Sequence, residues 1–310
     1  MLKDGRATIF ADDLTGACDV SLPFHSAGLS CFVSIGAPVL GQPSADVCII
    51  DMETRNLNPQ DAYGQTFVHT QRLKLDRGYL AYLKMDSTWQ GNVGYELKAI
   101  HDNRIVDLAI VAPAFPKMGR SVFNGQLLIR GKSDSQLLQE KLRHQGIERL
   151  SHITTRQLEM TVEELLELII DLHTQGINTI TCDATSDEEL STVALLIEKL
   201  TTIYGLSVLP VGSAGLAEHI SGNQSYSDTS RMAIVPSPVI AIIGSENSVT
   251  HDQLDVALRD ELLDELDGNR DGMRICQLRS HSGKHSVIKM TWEPQMESAL
   301  AEAMGSWMTS

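Results

Sequence analysis

Asp12 and Asp13 close the apolar run ATIFA and precede Leu14-Thr15-Gly16-Ala17, where an extended segment gives way to a helical pattern. Two adjacent carboxylates at such a point can hold a polyhydroxylated molecule or a cation, and Asp13 or Thr15 can equally serve as a plain helix cap. Arg55 follows the run DVCIID. Its planar guanidinium could clamp a carboxylate through two parallel hydrogen bonds, although a solvated surface arginine has the same appearance in a sequence. Lys84 and Asp86 close GYLAYLKMD, two residues apart and therefore on one side of a strand end. There the lysine could bind a carboxylate or phosphate while the aspartate accepts a hydroxyl proton. A salt-bridged strand end before a capped helix would read alike, and Ser87, Thr88, Gly91 and Asn92 supply the turn. Gly212-Ser213-Ala214-Gly215 and Gly244-Ser245 both lie between an apolar run and a helical pattern. Such turns can offer backbone N–H groups to phosphate, and a close-packed turn would look the same.

These residues can work together only if strands carry them to a common edge. The first half alternates short apolar runs with helical patterns, the sign of an α/β fold with a mostly parallel, helix-covered sheet. ATIF, DVCIID, GYLAYLKMD and VDLAIVAPAF read as strands, GYELKAIHD as a helix, and PKMGRSVFNG as a loop. In open sheets of this kind working groups gather beyond the C-terminal strand ends, where Asp12, Asp13, Arg55, Asp86 and Ser87 all fall. Residues 134 to 176 read as helical through SQLLQEKLRH and TVEELLELIIDLHTQG. The strand INTITCD, the helix DEELSTVALLIEKL and the strand LSVLPVG follow, the last running into GSAGLAEHI. SGNQSYSDTSR, residues 221–231, lacks apolar periodicity and reads as a linker between domains at 1–225 and 232–310. The second, smaller α/β domain would hold VIAIIG, MRICQL and SVIKMTW as strands and end on the helix PQMESALAEAMGSWM.

The chain has 310 residues, a mean hydropathy of -0.08 and a formal net charge of -15. That balance offers no general field for nucleic acid or an anionic membrane, which call for clustered Lys and Arg. An anionic small molecule would instead need a local positive pocket or a metal ion. No stretch approaches the roughly 20 apolar residues of a membrane span, and MLKDGRATIF has no apolar signal core. Cys18, Cys31, Cys48, Cys182 and Cys276 are scattered without a CxxC pair and read as buried, reduced thiols of a cytoplasmic protein. His281 and His285 have ligand-like spacing near Cys276, but RSHSGKHS is Ser/Gly-rich and reads as a solvated loop, so no metal-ligand set is assigned.

In order, ADDLTGACD, DMETR, KMDSTWQGNVGYE, APAFPKMGR with a following NG, CDATSDEEL, VGSAGLA and GSENSVTHDQ resemble the four-carbon acid sugar kinases. These are the threonate, erythronate and 3-oxo-tetronate kinases, and the resemblance spans about residues 7 to 253. It implies ATP-dependent phosphorylation of a sugar acid by an N-terminal substrate domain and a C-terminal nucleotide domain, with Mg²⁺ assisting. Carried over by position, Asp12, Asp13, Arg55, Lys84, Met85, Asp86 and Ser87 would contact the sugar acid, and Gly244 and Ser245 would contact ATP. Asp86 or one of the pair Asp12 and Asp13 would orient the attacking hydroxyl, and the residues do not choose between them.

Two departures qualify these expectations. Trp89-Gln90 stands where relatives carry Leu-Arg, which removes a fixed positive charge near the substrate. A Gly-Gly-Asp-Thr-like phosphate loop, expected about a hundred residues further on in relatives, is absent up to Ser310. The nucleotide domain is therefore expected to be partial and the kinase activity impaired, with a small-acid-binding protein as the alternative and an interaction scaffold ranked last. A curtailed sheet would leave an edge that pairing between copies, a homo-oligomer, would cover.

Overall fold

The computed structural model describes residues 7–36, 45–71, 80–222, 239–243, 256, 259, 263–270, 273–280 and 283–289. The chain divides into two compact units, Met1–Ser227 and Asp228–Ser310.

The first unit runs β1 (Ala7–Ala11), α1 (Leu14–Ser26), β2 (Cys31–Ile35), β3 (Val47–Asp51), α2 (Pro59–Thr70), β4 (Leu80–Lys84), α3 (Val93–Asp102) and β5 (Leu108–Ala112). After a 3₁₀ turn at Pro116–Met118 come β6 (Arg120–Phe123), β7 (Gln126–Ile129), β8 (Lys132–Leu137), α4 (Leu138–His144), β9 (Leu150–Ile153), α5 (Thr155–Leu158) and α6 (Val162–Thr174). The unit closes with β10 (Thr179–Cys182), α7 (Asp187–Thr202), β11 (Val208–Gly212) and α8 (Ala214–Ile220). Eight strands form one sheet in the order β2-β3-β1-β4-β11-β5-β10-β9, parallel at every pairing. Strands covered on both faces read as near-continuous apolar runs rather than alternating ones, and β1, β4, β5 and β11 are buried at every position.

Helix starts follow local chemistry. Asp13 caps α1 by accepting from Gly16 N, and Asn58 caps α2 with Pro59 in the first turn. Thr161 with Glu164 forms a capping box on α6, while Ser186 and Ser213 cap α7 and α8. The chain leaves β1 for the sheet edge, returns at β3, and crosses to the other side of β1 at β4, so β1 and β4 flank the point where direction reverses. Ala11 is level with Asp51 of β3 and with Lys84 of β4. The residues just beyond therefore meet at one edge.

Three differences from the sequence reading have local causes. PKMGRSVFNG is not only a loop, because β6, β7 and β8 make a separate antiparallel sheet. Its two hairpins turn on Asn124-Gly125 and Arg130-Gly131, all four at positive φ, the backbone that two-residue hairpin turns require. Pairing with β7 keeps Lys132–Leu137 extended, so α4 starts only at Leu138. LSHI, inside the segment read as helical, is edge strand β9. Asp183, fully buried, fastens the small sheet by accepting from the backbone N–H groups of Asn124, Gly125 and Thr155 at 2.8, 2.8 and 2.9 Å.

In the second unit β12 (Val239–Ile243), β13 (Leu263–Arg270), β14 (Met273–Ser280) and β15 (Gly283–Lys289) form a sheet in the order β12-β15-β14-β13. β12 runs parallel to β15 and the remaining pairings are antiparallel. The described parts of the three runs read as strands are strands, and the acidic segment LDELDGNR is a fourth. RSHSGKHS is mostly strand, not loop, since Ser280 pairs with Gly283. Ladder partners decide such polar segments more than composition does. PQMESALAEAMGSWM lies outside the described residues, as does most of 221–231. Of the four cysteines whose side chains are described, all free, Cys182 is buried, Cys31 and Cys48 are half-buried and Cys18 is exposed, which corrects the expectation of uniform burial. No helix among the described residues is long and apolar enough to cross a membrane.

The turn GSAG is close-packed. A Cβ on Gly215 would stand 2.7 Å from Ala114 O and 3.0 Å from Phe115 Cα, both backbone atoms. Gly215→Ala is expected to lower stability by about 1–3 kcal/mol, the usual range for overpacking. Urea unfolding checks it, and an unchanged midpoint would show that α8 can retreat from β5 freely.

Candidate functional site

Arg55 organises the sheet edge. Its Nε donates to Asp12 Oδ2 at 2.8 Å, its Nη2 to Asp12 Oδ1 at 2.9 Å, and its Nη1 to Asp13 Oδ2 at 2.6 Å. The bidentate fork falls on a carboxylate that is 1% exposed. Asp13 bridges two roles, since its other oxygen accepts from Gly16 N at 2.7 Å. Gly16 shows how tightly the heads converge: a Cβ there would stand 2.6 Å from Asp13 Oδ1, 3.0 Å from Lys84 Nζ and 3.7 Å from Arg55 Nη2. Lys84 is 3% exposed and donates to Met85 O at 3.0 Å. Among the described residues that is its hydrogen bond, and no carboxylate pairs with it directly.

Asp86 sits in the turn that follows β4. Its Oδ1 accepts from Thr88 N at 2.7 Å, from the Thr88 hydroxyl, and from Gln90 N at 3.4 Å. Burial works to raise its pKa, but the Thr88 hydrogen bonds and the Arg55 charge outweigh that and hold it below the ordinary value. The pKa of Asp12 moves the other way: burial raises it, and the bonds and charges of Arg55 and Lys84 only partly oppose. Ser87 is half-buried with its hydroxyl unpaired among the described residues. The Met85 side chain is fully buried in the core, so its contribution at this edge is the carbonyl that holds Lys84. Trp89 is also core, at φ +64°, while Gln90 is exposed. Glu53, at φ +52°, lies two residues before Arg55. Left-handed non-glycine residues cost about 1–3 kcal/mol each and persist where surrounding structure holds them.

Under the Arg55 loop lies a buried layer that sequence reasoning missed. Asn92 Nδ2 donates to Thr54 O and Leu57 O, both at 2.9 Å, and Thr54 Oγ1 donates to Glu96 Oε1 at 2.6 Å. Glu96 is fully buried, and its Oε2 has no partner. Burial first, then the charge of Asp12, pushes its pKa up to about 8. A signal was present: Glu96 falls among Val93, Leu97 and Ile100 on the apolar face of α3. Gly91 packs on the other side, at φ +93° and with its Cβ position 3.2 Å from Asp12 Oδ2, so this turn accepts glycine alone without strain.

The structure thus brings together Asp12, Asp13, Arg55 and Lys84, with Asp86 within reach of the Arg55 charge. Gly244 and Ser245 lie outside the described residues. Among the described residues no group of three or more His, Cys, Asp or Glu could hold a metal ion, and the oxygens of Asp12 and Asp13 are already given to Arg55 and the α1 terminus. The expected Mg²⁺ therefore finds no protein-built cradle among them.

Residues 7–145 and 130–220 match the sugar-binding N-terminal domain. The chain belongs to the four-carbon acid sugar kinase family. It is 27% identical to a 3-oxo-tetronate kinase of Pseudomonas savastanoi pv. phaseolicola, over 89% of this chain and 67% of that protein. With a D-threonate kinase of Cupriavidus necator the identity is 28%, over 78% of this chain and 61% of the other. The chain thus spans 61% to 67% of the length of these kinases. A Haemophilus influenzae protein superposes with a TM-score of 0.67 at 21% identity, covering 96% of this chain and 77% of its own. A Bordetella bronchiseptica domain, solved with bound citrate as a domain-swapped dimer, gives 0.58 at 24%, covering 82% and 65%. Both structural likenesses are of fold.

Glu96 makes a pH prediction. Its pKa rises from the ordinary 4.5 to about 8 on folding, so its neutral form favours the native state. That contribution is complete below 4.5 and is lost as pH climbs from 4.5 through about 8. Glu96→Gln keeps an acceptor for Thr54 but cannot ionise. Its stability relative to the parent is expected to rise steadily across that window in urea unfolding; a flat difference would mean that Glu96 is ionised in the folded protein.

Proposed function

We propose that the first unit binds a four-carbon sugar acid at the ends of β1, β3 and β4, and that the chain serves ATP-dependent phosphorylation of that acid. What carries this is Lys84, an ammonium 3% exposed with one acceptor among the described residues. A cation kept that dry and under-bonded is costly unless an anion completes it. Arg55 has five N–H donors, of which Asp12 and Asp13 take three, so it can reinforce Lys84 on a carboxylate. Asp86 Oδ2 and the Ser87 hydroxyl are left for the hydroxyls of the acid. Citrate, bound in the Bordetella relative, is likewise a hydroxylated carboxylic acid.

Phosphoryl transfer asks mainly for positioning and charge neutralisation. The second unit, with Gly244 and Ser245, is assigned to the nucleotide by family position. The choice among threonate, erythronate and 3-oxo-tetronate rests on the 3-oxo-tetronate and D-threonate kinases among the relatives. A cytoplasmic setting, where ATP is available and thiols stay reduced, agrees with the free described cysteines. A dimer is the assembly assigned, after the Bordetella relative.

Calorimetric titration with D-threonate, D-erythronate and 3-oxo-tetronate tests the site. Arg55→Ala should weaken binding by about 1.5–3 kcal/mol, the worth of a charged hydrogen bond. Lys84→Met should abolish detectable binding while leaving the melting temperature equal or higher, because it replaces a dry, under-bonded charge with an apolar chain of similar length. Undiminished affinity in Lys84→Met would remove the lysine from the site. Binding without ADP release in the presence of ATP would make the chain a small-acid-binding protein rather than a kinase.

A further inference from the structure

Asn92, the residue that opens α3, and Glu96, four positions on and so on the same face, both reach under the loop that carries Arg55. Asn92 Nδ2 takes the carbonyls of Thr54 and Leu57 and grips the loop through its main chain. Glu96 grips it through one side chain: the fully buried Thr54 hydroxyl donates to Oε1 at 2.6 Å. From the other side Arg55 N donates to Asp12 O at 3.0 Å, and the guanidinium holds Asp12 and Asp13. Thr54 is thus the residue that joins Glu96 to Arg55. Glu96 is 0% exposed, and its Oε2 has no hydrogen-bond partner among the described residues. The charged groups that face it are Asp12, beyond β1, and Arg55, beyond β3. Tyr63 of α2 turns instead to Asp102 and Lys98, nearer the far end of α3. Gln145, after α4, is neutral and accepts from Gly94 N at 2.6 Å.

An ionised carboxylate offers about four lone-pair sites, and here a single donor meets one of them. Ionised, Glu96 would be a dry charge with one hydrogen bond and the carboxylate of Asp12 in front of it, a costly arrangement. Neutral, it needs no counter-charge, and Oε1 still accepts from Thr54. The proton is therefore part of how the loop is built. Its loss would set a second negative charge behind Asp12 and compete for Arg55. Of the five N–H groups of Arg55, Asp12 and Asp13 take three, and the remaining two are those offered to the acid. We infer that Glu96 is a positioning residue, whose proton keeps the Arg55 loop available to the sugar acid and is taken up as the acid binds. This rests on the sugar-acid reading above. The coupling is reciprocal: an anion on Arg55 and Lys84 favours the protonated carboxyl, and the protonated carboxyl favours the anion. Burial and the charge of Asp12 place the midpoint of Glu96 at about 8. Affinity is therefore complete well below that pH and is lost as pH rises through it.

The test is calorimetric titration of D-threonate into the full chain and into Glu96→Gln, across a window of about 1.5 pH units on either side of that midpoint. Affinity in the parent should fall by about 5- to 150-fold across the window, the usual size of a coupling between two sites. Glu96→Gln keeps an acceptor for Thr54 and has no proton to lose, so its profile should lack that fall. Every other titrating group is common to both proteins, so the difference between the profiles belongs to Glu96. Titration at the midpoint in Tris and in HEPES, whose ionisation enthalpies differ, counts the protons exchanged. The parent should take up a fraction of a proton per acid bound, and the variant measurably less. Matching profiles, or a parent that takes up no proton, overturn the role of Glu96 and leave the site standing. Should Glu96→Gln fail to fold, proton uptake by the parent decides alone. A parent that binds neither D-threonate nor the two other acids at any pH overturns both readings.

Discussion

The bidentate bond between Arg55 and Asp12 is the constraint on which the sheet edge depends. Asp12 is 1% exposed, a position in which an unpaired carboxylate would be untenable, and a planar fork satisfies both of its oxygens at once. The bond ties the loop after β3 to the end of β1. Everything around it follows from keeping that loop in place. Arg55 N donates to Asp12 O at 3.0 Å, Asn92 gathers the carbonyls of Thr54 and Leu57, and Gly91 leaves the guanidinium stem room to pass. Asp13 then serves as both helix cap and second anchor, so the helix-cap reading of the sequence holds at this residue.

With a net charge of -15 the chain as a whole repels anions, so an acid must be drawn by local arrangement. On the sugar-acid proposal, the residues around Arg55 supply that arrangement. Arg55 is neutralised by the carboxylates that position it, while Lys84 stays in a dry setting with N–H groups to spare. Glu96 lies beneath the pair as a carboxyl whose ionisation is delayed to about pH 8, so it adds no negative charge behind Asp12 at neutral pH. The charge without a carboxylate partner at this edge is that of one lysine, not of a cluster of cations.

Much of this was legible in the residues. Apolar runs ending in polar turns pointed to the parallel sheet, because strands buried on both faces are mostly apolar, and the strand ends pointed to Asp12, Asp13, Arg55 and Lys84. What escaped had physical reasons. Asn124-Gly125 is a strong hairpin signal, but the strands it joins are only four residues long, too short to show a period. Leu150–Ile153 is an edge strand held by β10 alone, and its partner lies far off in sequence. Glu96 and Thr54 meet across 42 positions, a contact that no local pattern encodes. The engagement of Arg55 by the aspartates, rather than by a ligand, depends on three loops arriving together.

The position of β11 has a consequence for how the protein is made. This strand lies between β4 and β5, yet it follows both in the chain, its residues 208–212 coming after 80–84 and 108–112. During synthesis the ribosome therefore releases two sheet fragments, β2-β3-β1-β4 and β5-β10-β9, each with a bare inner edge. They can be joined only when Val208–Gly212 emerges. Until then apolar edges face water side by side, the state in which strands pair with the wrong chain. Translation past Gly212 is the moment at which the domain becomes safe, and a pause before it would leave the nascent chain dependent on a chaperone.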